Sequence, residues 1–169
     1  MPMNPQHQNC LSPKTLPEDG AGQAVYQLIY MSLAVDDFDQ EMLHSILDQA
    51  RPKNAELGIT GLLLYSKKQI VQILEGTEDA VAKLFETIRK DKRHHHVTQL
   101  SFCEVPKRDF ADWAMGFKRI TAEDFNSEFP GFTDIVERKN INMDLLSGLS
   151  IRVGFVLKKF SQQNRLEDL

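Results

Sequence analysis

Residues 54–76 read N-A-E-L-G-I-T-G-L-L-L-Y-S-K-K-Q-I-V-Q-I-L-E-G. Two apolar stretches of strand length, 59–65 and 69–74, are separated by Ser66, Lys67 and Lys68. This part of the chain therefore reads as a β-hairpin, although its turn lacks the favoured Asn-Gly chemistry. One residue of the second arm conflicts with its neighbours: Gln72 lies between Val71 and Ile73. Burying an amide without a partner costs about 1–3 kcal/mol. Gln72 is thus either turned to solvent or held by a group that both donates and accepts hydrogen bonds.

The rest of the chain builds around this hairpin. Residues 25–32 (V-Y-Q-L-I-Y-M-S) form a buried first strand. Asp36 and Asp37 are placed to cap a first helix, in which Phe38, Met42, Leu43, Ile46, Leu47 and Ala50 make an i, i+3, i+4 stripe running to Arg51. Pro52 marks the end of that stripe and of the helix. Gly76 and Thr77 open a second helix with Val81, Leu84, Phe85 and Ile88 on its apolar face and a cationic end at residues 90–93. Residues 97–105 are a fourth strand, and residues 112–117 lead into a fifth. The order β-α-β-β-α-β is ferredoxin-like, an α+β fold with an extra fifth strand, and both helices must cover one face of the sheet.

Three regions follow. Residues 1–22 hold four of the seven prolines and almost no apolar periodicity, which reads as a disordered tail. Residues 23–120 form the α+β domain. Residues 121–169 form a helical extension, with amphipathic pieces at 122–129 and 132–138 and a longer one at 143–160. That extension either covers the other face of the sheet or makes a subunit contact.

The net charge of −4 argues against nucleic acid as a partner, since phosphate binding calls for a basic face. No apolar run reaches bilayer length and no secretory h-region opens the chain, so a cytoplasmic protein is expected. Cys10 and Cys103 make no disulfide framework. Adjacent side chains diverge, so His94, His95 and His96 are not expected to chelate one metal ion. Glu75 with Asp79 lacks a companion nucleophile and reads as helix N-terminal charge. No nucleophile elbow or phosphate loop is present, and a non-enzymatic protein is expected.

Folding this way brings unusual residues together. Tyr30 lies on the first strand, Gln72 on the third, Asn54 just past the first helix, and Trp113 and Met115 at the entry to the last strand. If strands one and three pair, Tyr30 and Gln72 sit side by side beneath the cleft between the helices. The phenol can then donate to the Gln72 carbonyl and leave the amide to donate elsewhere. Taken singly, each has an ordinary reading: an edge-strand amide, a core phenol, a helix C-cap, a hinge aromatic and a gap-filling methionine.

Six separated motifs carry a resemblance. Leu28-Ile29-Tyr30-Met31-Ser32, Asn54, Gly58-Ile59-Thr60-Gly61-Leu62-Leu63, Gln72-Ile73-Leu74-Glu75-Gly76, Asp91-Lys92-Arg93-His94 and the run 108–115 (R-D-F-A-D-W-A-M) match in order and spacing. Over about residues 25–120 the chain resembles the BLUF domains, the blue-light sensors using flavin, and its short helical tail is similar to the small single-domain members.

The resemblance implies a flavin held noncovalently between the two helices, FAD with FMN as the alternative. It assigns Tyr30 as the donor of an electron and a proton to the excited flavin, Gln72 as the bridge from that phenol to the flavin, and Asn54 as a partner of the ring carbonyl. Lys53 and Ile88 join the cofactor-contacting set, with Asp91, Arg93 and His94 toward the ribityl and phosphate end. Trp113 and Met115 are implicated in output. The implied function is a blue-light photoreceptor in which rearranged Gln72 hydrogen bonds signal through the last strand and C-terminal helices to a separate downstream protein, with a homo-oligomer expected. One rival is a light-independent interaction module on the same fold. The other is a small acyl phosphatase-like enzyme, which would need an early arginine where this chain has Ser32-Leu33-Ala34-Val35.

Overall fold

A computed structural model describes residues 23–112, 115–119 and 149–165. The chain divides into two compact units, residues 1–118 and 119–169. The elements are β1 (Val25–Ala34), α1 (Gln40–Glu56), β2 (Thr60–Ser66), β3 (Gln69–Gly76), α2 (Glu78–Ile88), β4 (His94–Val105), β5 (Gly116–Arg119) and a final helix, here α3 (Ile151–Arg165). The strands form one sheet in the order β4-β1-β3-β2-β5, the ferredoxin-like order with β5 added beside β2. The expected helices at 122–129 and 132–138, the first part of the 143–160 piece and the tail at 1–22 lie outside the described residues.

β1 is central and pairs antiparallel with both β3 and β4. Strand side chains alternate between faces, so Leu28, Tyr30 and Ala34 of β1 share a face with Leu63 and Tyr65 of β2 and Ile70 and Leu74 of β3. Leu43 and Leu47 of α1 and Val81 and Phe85 of α2 close over that face as one core. Burying each such Leu, Val or Phe contributes about 1.5–3 kcal/mol. The opposite-face residues Ile29, Leu62, Leu64 and Ile73 are buried as well. That is why β2 and β3 read as continuous apolar runs rather than alternating ones.

Local chemistry differs from expectation in three places. The N-cap of α1 is Asp39, which accepts from the Met42 N–H at 2.8 Å, not Asp36 or Asp37. Asp37 instead accepts from the Tyr65 hydroxyl, which itself accepts from the Phe38 N–H. Helix α1 runs through Pro52 to Glu56. Pro52 removes one helical hydrogen bond, but the last turn is held from outside. Asn54 is buried, its carbonyl accepts from Ile59 N at 2.8 Å, and Leu57 N caps Lys53 O at 3.0 Å. The third difference is β4, which begins at His94 rather than Val97 because its first residues pair with the end of β1. At the β2–β3 turn, Lys67 and Lys68 adopt φ of 45° and 67°. This is the doubly left-handed geometry of a type I′ turn, built without glycine or asparagine.

Candidate functional site

A cavity of about 210 Å³ lies between α1, α2 and the sheet. Leu43, Ile46 and Leu84 give it apolar walls on α1 and α2, and the strands contribute Tyr30 and Gln72 beside Leu63 and Ile70. The β1–β3 register sets Tyr30 directly opposite Gln72. Both side chains turn to the helix-covered face, and the Tyr30 hydroxyl donates to Gln72 Oε1 at 2.5 Å. Tyr30 is 2% exposed and Gln72 7%. Gln72 is therefore not an edge-strand surface residue, because β3 is an interior strand. Burial, with the nearby Asp91 charge, pushes the Tyr30 phenol far above its ordinary value, so it keeps its proton.

Among the described residues the other end of the amide meets a weak acceptor. Gln72 Nε2 lies 3.3 Å from Met115 Sδ, and a thioether accepts hydrogen bonds poorly. Met115 is buried, and its carbonyl accepts from Arg51 Nε of α1 at 3.4 Å. The continuation of α1 past Pro52 places Lys53 and Asn54 in its last helical turn rather than beyond the helix, and both line the cavity.

At the far end of α2, Arg93 donates Nε to both Asp91 oxygens at 3.0 Å and an η nitrogen to Oδ2 at 2.5 Å. This guanidinium holds the Asp91 carboxyl below its usual range. His94 bridges three elements: its Nε2 contacts the Ile88 carbonyl and its Nδ1 the Ser32 hydroxyl, each at 2.8 Å. A carbonyl can only accept, so Nε2 carries the proton and Nδ1 accepts from Ser32 in the neutral ring. Ile88, Asp91, Arg93 and His94 all line the cavity.

The structure thus gathers Tyr30, Lys53, Asn54, Gln72, Ile88, Asp91, Arg93 and His94 around one space and sets Met115 against Gln72. Trp113 lies outside the described residues. Sequence reasoning passed over Tyr65, a second phenol in the cavity wall, stacked on Phe38 with ring centroids 5.2 Å apart. Its strand parity with Leu63 could have shown that it points inward. Sequence reasoning also misread Glu75. It is the fully buried penultimate residue of β3 and accepts hydrogen bonds from Gln27, Asp109 and Phe110, so it is not surface charge at the start of α2. Among the described residues no group of His, Cys, Asp or Glu is arranged to hold a metal ion, and no helix is long and apolar enough to cross a membrane.

The space suits a flat, polar-edged ligand. Its faces are aliphatic and aromatic, and one rim offers an amide whose acceptor among the described residues is sulfur, so donor capacity is left over for a better one. Comparison with known proteins agrees. Photoactivated adenylate cyclase subunit beta of Euglena longa is 33% identical over 112 residues, 66% of this chain but 13% of that protein. The chain thus spans only a small part of the curated relatives it matches. Klebsiella pneumoniae BlrP1 with FMN and cyclic diGMP superposes with a TM-score of 0.53 at 37% identity, covering 56% of this chain and 26% of that one. The photo-activated state of BlsA superposes with a TM-score of 0.56 at 26% identity, covering 83% of this chain and 94% of that one. The family model of sensors of blue light using FAD matches residues 25–116, more than half the chain, and the protein belongs to that family, the BLUF domains.

Proposed function

We propose that this chain is a non-enzymatic blue-light photoreceptor that holds one flavin noncovalently, FAD with FMN as the alternative, in the cavity between α1 and α2. The observation that carries the reading is the buried chain Tyr30–Gln72–Met115, a phenol and a thioether joined through one amide. Asn54 and Gln72 would hold the polar edge of the ring, with Lys53 and Ile88 beside it. The cluster of Asp91, Arg93 and His94 would face the ribityl and phosphate end. The bound flavin supplies absorption of blue light and, once excited, a strong one-electron oxidant.

The residues then follow elementary chemistry. Tyr30 is the electron donor. Among the described residues its proton faces one acceptor, Gln72 Oε1 at 2.5 Å. The raised phenol value means that Tyr30 holds this proton in the dark and releases it only on oxidation. When the electron and the proton both return to Tyr30, Gln72 would settle with its oxygen and nitrogen exchanged or its tautomer changed. A hydrogen bond worth about 1 kcal/mol shifts populations about fivefold. The contact that feels the exchange is Met115, one residue before β5. Transmission onward requires a two-state element, for which β5 and the C-terminal helices are the candidates. The receiver is a separate signalling protein or a second copy of the chain. Ile151 and Phe155 of α3, 93% and 60% exposed, are apolar residues available to it.

The test is the light-minus-dark absorption spectrum of the purified protein. A reversible red shift is expected in wild type and is lost in Tyr30→Phe and Gln72→Ala. A colourless protein that takes up no flavin would overturn the reading in favour of a light-independent interaction module.

A further inference from the structure

Two polar pairs occupy the same β1–β3 ladder, three rungs apart. Tyr30–Gln72 lies on the helix-covered face. Gln27–Glu75 lies on the opposite face, also directly paired in register. Glu75 has 0% exposure and Gln27 1%. Burial raises the Glu75 carboxyl, while its hydrogen bonds pull it back down.

The donors to Glu75 come from β1, β2 and the segment that follows β4. Its Oε1 accepts from Gln27 Nε2 at 2.8 Å and Asp109 N at 2.9 Å. Its Oε2 accepts from Phe110 N at 3.0 Å and Thr60 Oγ1 at 3.4 Å. Arg108 adds a bond to the Glu75 carbonyl at 2.9 Å and another to Thr60 Oγ1 at 3.0 Å. Gln27 Nε2 also reaches Asp109 Oδ2 at 2.8 Å, while Gln27 Oε1 is buried without a hydrogen-bond partner among the described residues. An apolar pair would avoid both a buried carboxylate and an orphaned carbonyl. What the polar pair holds is the start of the segment joining β4 to β5. The end of that segment, Met115, touches Gln72. One strand, β3, therefore contacts both residues 108–110, through Glu75, and Met115, through Gln72, three positions apart.

We propose that Glu75, braced by Gln27, is a positioning residue. It fixes the 108–110 end of the segment, so that a rearrangement at Gln72 displaces only the Met115 end and is directed into β5. The inference rests on the photosensor reading above. Without the anchor, the Gln72 rearrangement still occurs but is dissipated as loose motion of the whole segment.

The test uses the full-length, flavin-loaded protein and two readouts: the flavin red shift, which reports Gln72, and the light-induced change in fluorescence of Trp113, the single tryptophan, which reports the segment. Glu75→Gln keeps the side chain's shape but removes the charge and adds a donor where an acceptor is needed. The expected result is a red shift of wild-type size with the light-induced Trp113 change reduced about fivefold, the loss of roughly one hydrogen bond of coupling. Gln27→Met, which leaves the carboxylate in place, should give a smaller loss in the same direction, and Glu75→Asp a partial rescue. A Glu75→Gln protein with both signals intact overturns the inference, as does loss of both signals in parallel, which would make Glu75 a general support of the pocket. If Glu75→Gln does not fold, Gln27→Met decides by the same two criteria. A wild-type protein with no red shift overturns the photosensor reading and this inference with it, whereas an intact shift with an unaltered Trp113 response in both variants overturns this inference alone.

Discussion

Gln72 Nε2 donates to Met115 Sδ at 3.3 Å, and this contact joins the cavity floor to the residue that precedes β5. The amide is buried, yet its acceptor is a weak one. The dark orientation of Gln72 is thus held strongly at its oxygen, by Tyr30, and weakly at its nitrogen. Met115→Leu conserves volume, so stability should fall by less than about 1.5 kcal/mol. It also removes this bond, which on the proposed reading belongs to the dark arrangement. Dark recovery after a blue flash should slow by roughly two- to fivefold, the range for a weak hydrogen bond. Absorbance decay in the dark measures it, and an unchanged rate would show that the sulfur contact carries no part of the balance.

The β2–β3 pairing leaves no room at Gly61. A Cβ there would stand 2.0 Å from the Ile73 carbonyl oxygen, which is backbone and cannot turn aside. Gly61→Ala should cost about 3 kcal/mol, the upper end for overpacking. Urea unfolding monitors it. Because Leu63 pairs with Gln72 two residues on, the flavin red shift should weaken in parallel.

The Lys67-Lys68 turn holds two lysines in the left-handed region, where L-residues are disfavoured by about 1–2 kcal/mol each. Replacing them with Asn-Gly matches the turn to its geometry. The Lys68 Nζ bond to the Val35 carbonyl at 3.1 Å is exposed and contributes little. A net gain of about 1 kcal/mol is expected, visible as a raised Tm.

Asp91 supplies a pH prediction. Its folded value is depressed, chiefly by hydrogen bonding to Arg93, with burial opposing. A depressed carboxylate stabilises the folded state above its unfolded value of about 3.9, and the contribution is lost as pH falls through the lower folded value. Wild type should therefore exceed Asp91→Asn in Tm at neutral pH, and the two should converge as the solution is acidified below the ordinary aspartate range. A gap that widens in acid would reverse the sign and refute the assignment.

Much of the fold was legible from local chemistry. The apolar runs of β1, β2 and β3, the Thr77 cap of α2 and the parity that puts Tyr30 and Gln72 on one face all follow from side-chain period and capping rules. Local signals misled where a distant partner outweighed them. Pro52 reads as a helix stop, yet the buried Asn54 and the Ile59 N–H hold the next turn in place. Asp37 reads as a cap, yet the phenol of Tyr65, 28 residues on, claims it.

The chain by itself determined the strand and helix order, the choice of a phenol and an amide for facing rungs, and the family, because these depend on residue type and spacing along one strand or helix. Tertiary structure alone decided that the Gln72 amide nitrogen meets a sulfur, and that Glu75 is a buried anchor rather than surface charge. Those outcomes depend on which main-chain N–H groups and side chains from residues 27, 108–110 and 115 arrive within 3.5 Å, and no local pattern encodes a contact closed by folding across 34 to 48 residues.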